Sequence, residues 1–300
     1  MPVSDNMKGA ALMAGAMAGY TFNDASMKAL SGDMPLSQAV FLRGIVTSLM
    51  LLGLGLALRS LTFRLSRREW KLMLLRSLAE MGATYCFLSA LFNMPIANVT
   101  AVLQALPLTV ALAAWAFLGE PLGWRRLFAI LVGFVGVVLI VKPGGDGFTA
   151  WSVYALLAVG FITLRDLVVR KMSPTTPSMT VALVASVAIT VAFGMVSATV
   201  EWSPITVRSG GFLVLAASFI FMGYLFSVMV MRVGDIGFIA PFRYTGLIWA
   251  LIIGLIFFGE WPEVLTLIGA GIVVATGLFT LFRERQQSRQ ARAKGFLRHP

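Results

Sequence analysis

Long apolar runs, repeated along 300 residues with only short charged interruptions, constrain this chain more than any other feature. Crossing about 30 Å of hydrocarbon takes roughly 20 residues of helix. Read between charged or Pro/Gly punctuation, the sequence holds ten such runs: about 9–28, 38–58, 72–93, 96–118, 125–142, 150–169, 179–199, 211–231, 236–258 and 264–282. Composition agrees, with 58% hydrophobic and 12% charged residues and a mean hydropathy of +0.87, where soluble domains carry about 25% charged residues. The expectation is an all-α integral membrane protein of ten transmembrane helices. The sixth run, which contains Arg165 and Asp166, and the turns near Met94–Pro95 and Gly234–Asp235 interrupt the pattern most.

The net charge of +11 is confined to the segments between runs. Lys8, the Arg59–Lys71 segment, Arg125, Arg126, Arg170, Lys171, Arg232 and the tail from Arg283 to Arg298 hold 17 basic residues; the alternate loops hold Lys28, Lys142 and Arg208 alone. By the positive-inside rule both termini are then cytoplasmic, which an even number of spans requires. The basic tail, 283–300, reads as an orientation and headgroup signal rather than a nucleic-acid arm. Catalytic and metal chemistry have little to build on. His299 is the single histidine, Cys86 the single cysteine, and neither a Walker-type phosphate loop nor a dinucleotide fingerprint occurs. No cofactor, metal or catalytic residue is expected.

Shifting the chain by about 140 residues lays "AFLGEP" (Ala116–Pro121) on "IFFGEW" (Ile256–Trp261), "EMGATY" (Glu80–Tyr85) on "FMGYLF" (Phe221–Phe226), and "FNDASMK" (Phe22–Lys28) on "LRDLVVR" (Leu164–Arg170). Residues 9–142 and 150–282 are then two five-span repeats. An odd number of spans per half makes the second enter the membrane inverted, an architecture of secondary transporters with midplane sites.

Ten spans in two halves, each with Gly-Glu after its fourth span, resemble the drug/metabolite transporter superfamily, EamA type, over nearly the whole chain. "NDASMKAL", "FLRG" (Phe41–Gly44) and "LRSL" (Leu75–Leu78) resemble the group containing S-adenosylmethionine uptake carriers and some bacterial riboflavin carriers. The resemblance implies an inner-membrane secondary transporter of a small organic metabolite working by alternating access. It points to uptake of a cofactor-like solute such as riboflavin or S-adenosylmethionine, with amino-acid or drug export by the same fold as the alternative.

The polar residues within spans are the site candidates. Glu120 and Glu260 read as fold markers: Gly119 and Gly259 end helices in the left-handed conformation, and the carboxylates cap the following span. Pro107 interrupts the fourth span beside Gln104, and Pro241, Arg243 and Tyr244 lie at nearly the same depth of the ninth. A pair of bent central helices and a simple packing kink both fit. Arg243, costly in hydrocarbon without a partner, is expected to line a cavity. Asp24–Lys28, Arg76–Glu80 and Asp166–Arg170 are i,i+4 pairs, so Asp24, Glu80 and Asp166 serve either the site and its gates or structural ion pairs; Arg165 and Arg43 lack a local partner. Tyr85, Tyr224 and Tyr244 lie deep enough to stack on a solute, whereas Trp70, Trp124, Trp151, Trp202 and Trp261 fit interfacial belts. "GAMAG" (Gly15–Gly19) is a close-packing surface. The expected substrate site is Asp24, Glu80, Tyr85, Gln104, Asp166, Tyr224, Arg243 and Tyr244, gated through Lys28, Arg76, Arg165 and Arg170. The expected partners are a small-molecule solute and membrane lipids, with no nucleic acid; a homodimer is left open. A membrane-embedded enzyme built on Asp24 and Asp166, or a lipid flippase, is the rival from another class.

Overall fold

A computed structural model describes residues 5–143, 149–173, 175–230, 233 and 236–296. Arg232, the Gly234–Asp235 turn, Arg298 and His299 lie outside them. Every regular element among the described residues is helical. In order they are α1 (Asp5–Lys28), α2 (Leu36–Ala57), α3 (Arg67–Asn93), α4 (Ile96–Leu103), α5 (Leu106–Leu118), α6 (Trp124–Val141), α7 (Ala150–Lys171), α8 (Ser178–Ser197), α9 (Val207–Val230), α10 (Ile236–Ile239), a 3-10 turn over Ala240–Tyr244, α11 (Thr245–Phe258) and α12 (Val264–Phe296).

Eight helical segments are long and apolar enough to cross a membrane, with α4 and α5 counted as one and the 3-10 turn joined to α11. The other two long helices have the length, 24 residues in α1 and 27 in α3, but charged residues interrupt them. Asp24 and Lys28 in α1 and Arg76 and Glu80 in α3 are turned into protein rather than lipid.

Two helix ends differ from the sequence expectation for local reasons. α3 begins at Arg67, within the charged segment, because the Ser66 hydroxyl accepts the Glu69 amide at 3.2 Å and caps the helix. The Glu69 carboxylate in turn accepts from the Ser173 amide and the Thr176 hydroxyl, tying α3 to the α7–α8 connection. α12 continues through the basic tail to Phe296, a stretch rich in Arg, Gln and Ala, which propagate helix well. α5 and α11 stop as expected, at Gly119 (φ 69°) and Gly259 (φ 64°).

Helices pair mainly as α1 with α9, α3 with α7, α2 with α8, and α6 with α12, while α4 meets α11. Exchanging the first five long segments with the last five leaves this pairing unchanged. The α1–α9 crossing is close because a Cβ on Gly19 would lie 2.9 Å from the Phe219 carbonyl and 3.0 Å from the Gly223 nitrogen. The "GAMAG" surface thus sets the approach of the two helices. Two apolar clusters flank this frame: one around Val102, Leu108, Ile130 and Val273, the other around Met27, Leu91, Ile96 and Ile253. Trp124 and Trp261 stay exposed at helix ends.

Candidate functional site

The α3–α7 seam holds a three-helix-turn ion network. Arg165 Nη1 donates to Glu80 Oε1 at 3.0 Å and Arg165 Nε to Asp166 Oδ1 at 2.9 Å, while Arg76 Nη2 lies 3.3 Å from Glu80 Oε2. Arg76 and Glu80 pair at i,i+4 as the sequence implies. Asp166 does not pair with Arg170: the Arg165 guanidinium reaches it and bridges to Glu80 as well. Glu80 and Arg165 each have two ion partners and Asp166 one at 2.9 Å, which makes charges at this depth tolerable; Arg76 is the loosest, held by Glu80 alone with its Nε and Nη1 buried and unbonded among the described residues.

A second group sits where α1 meets α2. Arg43 Nη1 donates to Asn23 Oδ1 at 3.1 Å, and Asn23 Nδ2 donates to Asp24 Oδ1 at 2.9 Å. The relay leaves Asp24 within the field of Arg43. Tyr224 on α9 joins the two groups, feeling Glu80, Arg76 and Arg165 on one side and Arg43 on the other. Its ring meets Tyr20 of α1 edge-on at 6.1 Å, and the Tyr20 hydroxyl lies 3.0 Å from that of Ser227. Asp24, Arg43, Arg76, Glu80, Arg165, Asp166, Tyr20 and Tyr224 therefore form one polar centre fed by α1, α2, α3, α7 and α9.

The two interrupted helices face this centre. Gln104 follows the end of α4 and is buried beside Gly246 of α11, with Met17 of α1 alongside. The 3-10 turn with Pro241 packs on α1, and its Arg243 is exposed and within the field of Tyr20. Tyr244 turns the other way. Its buried hydroxyl points at Gly277 of α12, where a Cβ would come within 1.7 Å. Tyr85, 50% exposed, shares a helix face with exposed Leu74 and Leu78 and meets Tyr154 edge-on at 5.9 Å; it lies along the seam, apart from the polar centre.

Lys28 and Arg170, one turn beyond Asp24 and Asp166, pair across the molecule instead of along their own helices. Lys28 Nζ lies 2.9 Å from Glu260 Oε1 and 5.5 Å from the centre of the Phe258 ring, and it donates to the carbonyls of Leu91 (3.3 Å) and Met94. Those carbonyls belong to the end of α3, where the last acceptors have no partner within the helix and the helix dipole favours a cation. Asp24 offers one carboxylate; this corner offers a carboxylate, two carbonyls and an aromatic face, so the ammonium goes there. Glu260 also accepts the Ile96 amide at 3.0 Å, capping α4 rather than the following span. Arg170 Nη1 donates to both oxygens of Glu120, at 2.7 and 2.8 Å. The sequence reading of Glu120 and Glu260 as caps of the following span is not what these contacts show: Glu260 caps α4 instead, and both are chiefly ion-pair partners. Under the repeat offset, Lys28–Glu260 and Arg170–Glu120 are the same pair in the two halves.

A separate cavity of about 450 Å³ lies between α5, α6 and α7, lined by residues such as Leu112, Phe134, Val137 and Val159. Its two hydroxyls, Thr109 and Thr163, bond each other at 2.7 Å, so it presents nothing to orient a polar solute. Among the described residues no three His, Cys, Asp or Glu side chains gather as a metal ion requires. Sequence reasoning missed Tyr20, Asn23 and Ser227. Tyr20 and Asn23 lie on the interrupted first run, but nothing local marks Ser227.

Residues 7–142 match the EamA-like transporter family. The chain is 27% identical to the pseudopaline exporter CntI of Pseudomonas aeruginosa, over 95% of this chain and 99% of that protein. It is 27% identical to an S-adenosylmethionine uptake transporter of Rickettsia conorii, over 88% and 89%. It is 26% identical to a riboflavin transporter of Vibrio cholerae, over 83% and 81%. A crystal structure shares the fold with a TM-score of 0.65 at 19% identity, covering 93% of this chain and 98% of the other.

Proposed function

We propose that the chain, whose residues 7–142 match the EamA-like transporter family, is a ten-segment carrier of that type that moves a small organic solute across a bacterial inner membrane. The observation that carries the reading is the polar centre itself. Six charged side chains, Asp24, Arg43, Arg76, Glu80, Arg165 and Asp166, converge from both halves on one place, on helices two of which are interrupted by charge. The exchange-invariant helix pairing supports residues 9–142 and 150–282 as two inverted five-helix repeats. The alternation of basic loops supports cytoplasmic termini, with the segment from 283 as a cytoplasmic extension.

Transport then follows without covalent chemistry. The solute enters the centre, and the halves rock so that it meets the other face. The repeat-related pairs Lys28–Glu260 and Arg170–Glu120 lie at opposite ends of this centre. One would open while the other holds, and Arg165 and Arg76 would re-pair around Glu80 and Asp166. The Rickettsia and Vibrio relatives favour uptake of S-adenosylmethionine or riboflavin. Export is the second reading, favoured by the Pseudomonas exporter, which matches over 95% of this chain.

The test is counterflow into liposomes carrying the purified full-length protein, with S-adenosylmethionine, riboflavin and amino acids as labelled solutes, with and without a proton gradient. Saturable flux stimulated by solute on the far side is expected. Lipid scrambling or turnover of a lipid or peptide, without such flux, would refute the carrier.

A further inference from the structure

Among the described residues the charges around the polar centre do not balance. Arg43, Arg76, Arg165 and Arg243 bring four guanidinium groups, and Asp24, Glu80 and Asp166 bring three carboxylates. Arg165 spans Glu80 and Asp166, Arg76 shares Glu80, and Arg43 addresses Asp24 through Asn23. Arg243 is left over. Among the described residues no carboxylate lies within ion-pair distance of it and no side chain bonds it, yet it sits on the turn that packs against α1, within the field of Tyr20. The Lys28–Glu260 and Arg170–Glu120 pairs are each neutral and offer no spare anion.

An unmatched guanidinium at membrane depth is costly unless an anion joins it. Its planar fork of donors fits a planar oxyanion through two parallel bonds. One unpaired guanidinium matches one carboxylate group of the solute, whatever cationic groups the solute carries elsewhere; a phosphate monoester would bring a second negative charge to the same place with no counterpart there. Resting on the carrier reading above, we propose that Arg243 recognises a carboxylate on the transported solute, so that the substrate class is a carboxylate-bearing metabolite rather than a neutral one. Gln104 is buried, has no side-chain hydrogen-bond partner among the described residues and sits beside Gly246, three residues after Arg243. It supplies a neutral amide next to the site, able to bond the body of the solute without disturbing the charge match.

The test compares matched solutes in the counterflow assay: S-adenosylmethionine against its decarboxylated analogue, L-methionine against its decarboxylated amine, and riboflavin, which has no carboxylate. For wild-type protein the decarboxylated member should compete about 30-fold more weakly than its parent. Arg243→Gln should raise the parent's half-saturation concentration by a similar factor and leave the decarboxylated member within about threefold. Arg243→Lys, which keeps the charge but loses the fork, should fall between the two. The wild-type comparison stands even if a variant fails to fold. Equal competition by both members of a pair, or flux of riboflavin alone, would overturn the carboxylate assignment and leave the carrier standing. Flux of none of these solutes would overturn the carrier reading itself.

Discussion

The two cross-molecular ion pairs occupy equivalent places in the two halves, yet they are built differently. Lys28 and Glu260 have side chains 9% and 24% exposed, and the ammonium also satisfies two carbonyls at the end of α3 and lies over Phe258. Arg170 and Glu120 are 38% and 46% exposed and, among the described residues, their side chains bond only each other. The same sequence motif therefore makes a sealed corner at one end of the molecule and a solvent-accessible clasp at the other. Equivalence in sequence does not mean equivalence in any one conformation.

Breaking the sealed corner should have the largest effect. Lys28→Met leaves the Glu260 carboxylate buried without its charge partner and two carbonyls without a donor; we expect a loss of about 3 kcal/mol or more, read as a lowered melting temperature in detergent. Exchanging the charges, Lys28→Glu with Glu260→Lys, should recover part of that loss. A double-mutant cycle should return a coupling of about 1–3 kcal/mol; additive losses would show that Lys28 acts through the α3 carbonyls instead. Asp24→Asn and Asp166→Asn, measured separately, should each slow counterflow. Wild-type flux in both would make them ordinary structural charges. Arg170→Gln should cost the least, under about 1 kcal/mol, because an exposed pair gains little in water. A loss as large as that of Lys28→Met would abolish the contrast between the two ends.

Much of this was readable in the chain. The helical class followed from run length, and Gly119 and Gly259 announced their helix ends because few other residues accept that backbone. Arg76–Glu80 was readable because four residues along a helix is a contact distance. The same rule misplaced Lys28 and Arg170. It ranks partners on one helix and is blind to a carboxylate or a set of orphan carbonyls on another. Glu120 and Glu260 were taken for caps for the converse reason: their chain neighbours explain them well enough that the sequence gives no hint of a distant cation. Tyr85 and Tyr244 look as deep as Tyr224, yet depth says nothing about direction, and only Tyr224 turns to the charges.

By itself the sequence determined how many long apolar runs there are, where glycine and proline interrupt them, and which charges sit within them. Those are properties of short segments, governed by backbone bonding and transfer from water. Only the tertiary structure decided which charges meet. An ion pair at this depth is selected by the joint geometry of four or five helices and by every competing acceptor within reach. That competition sent Lys28 and Arg170 across the molecule and left Arg243 without a partner among the described residues.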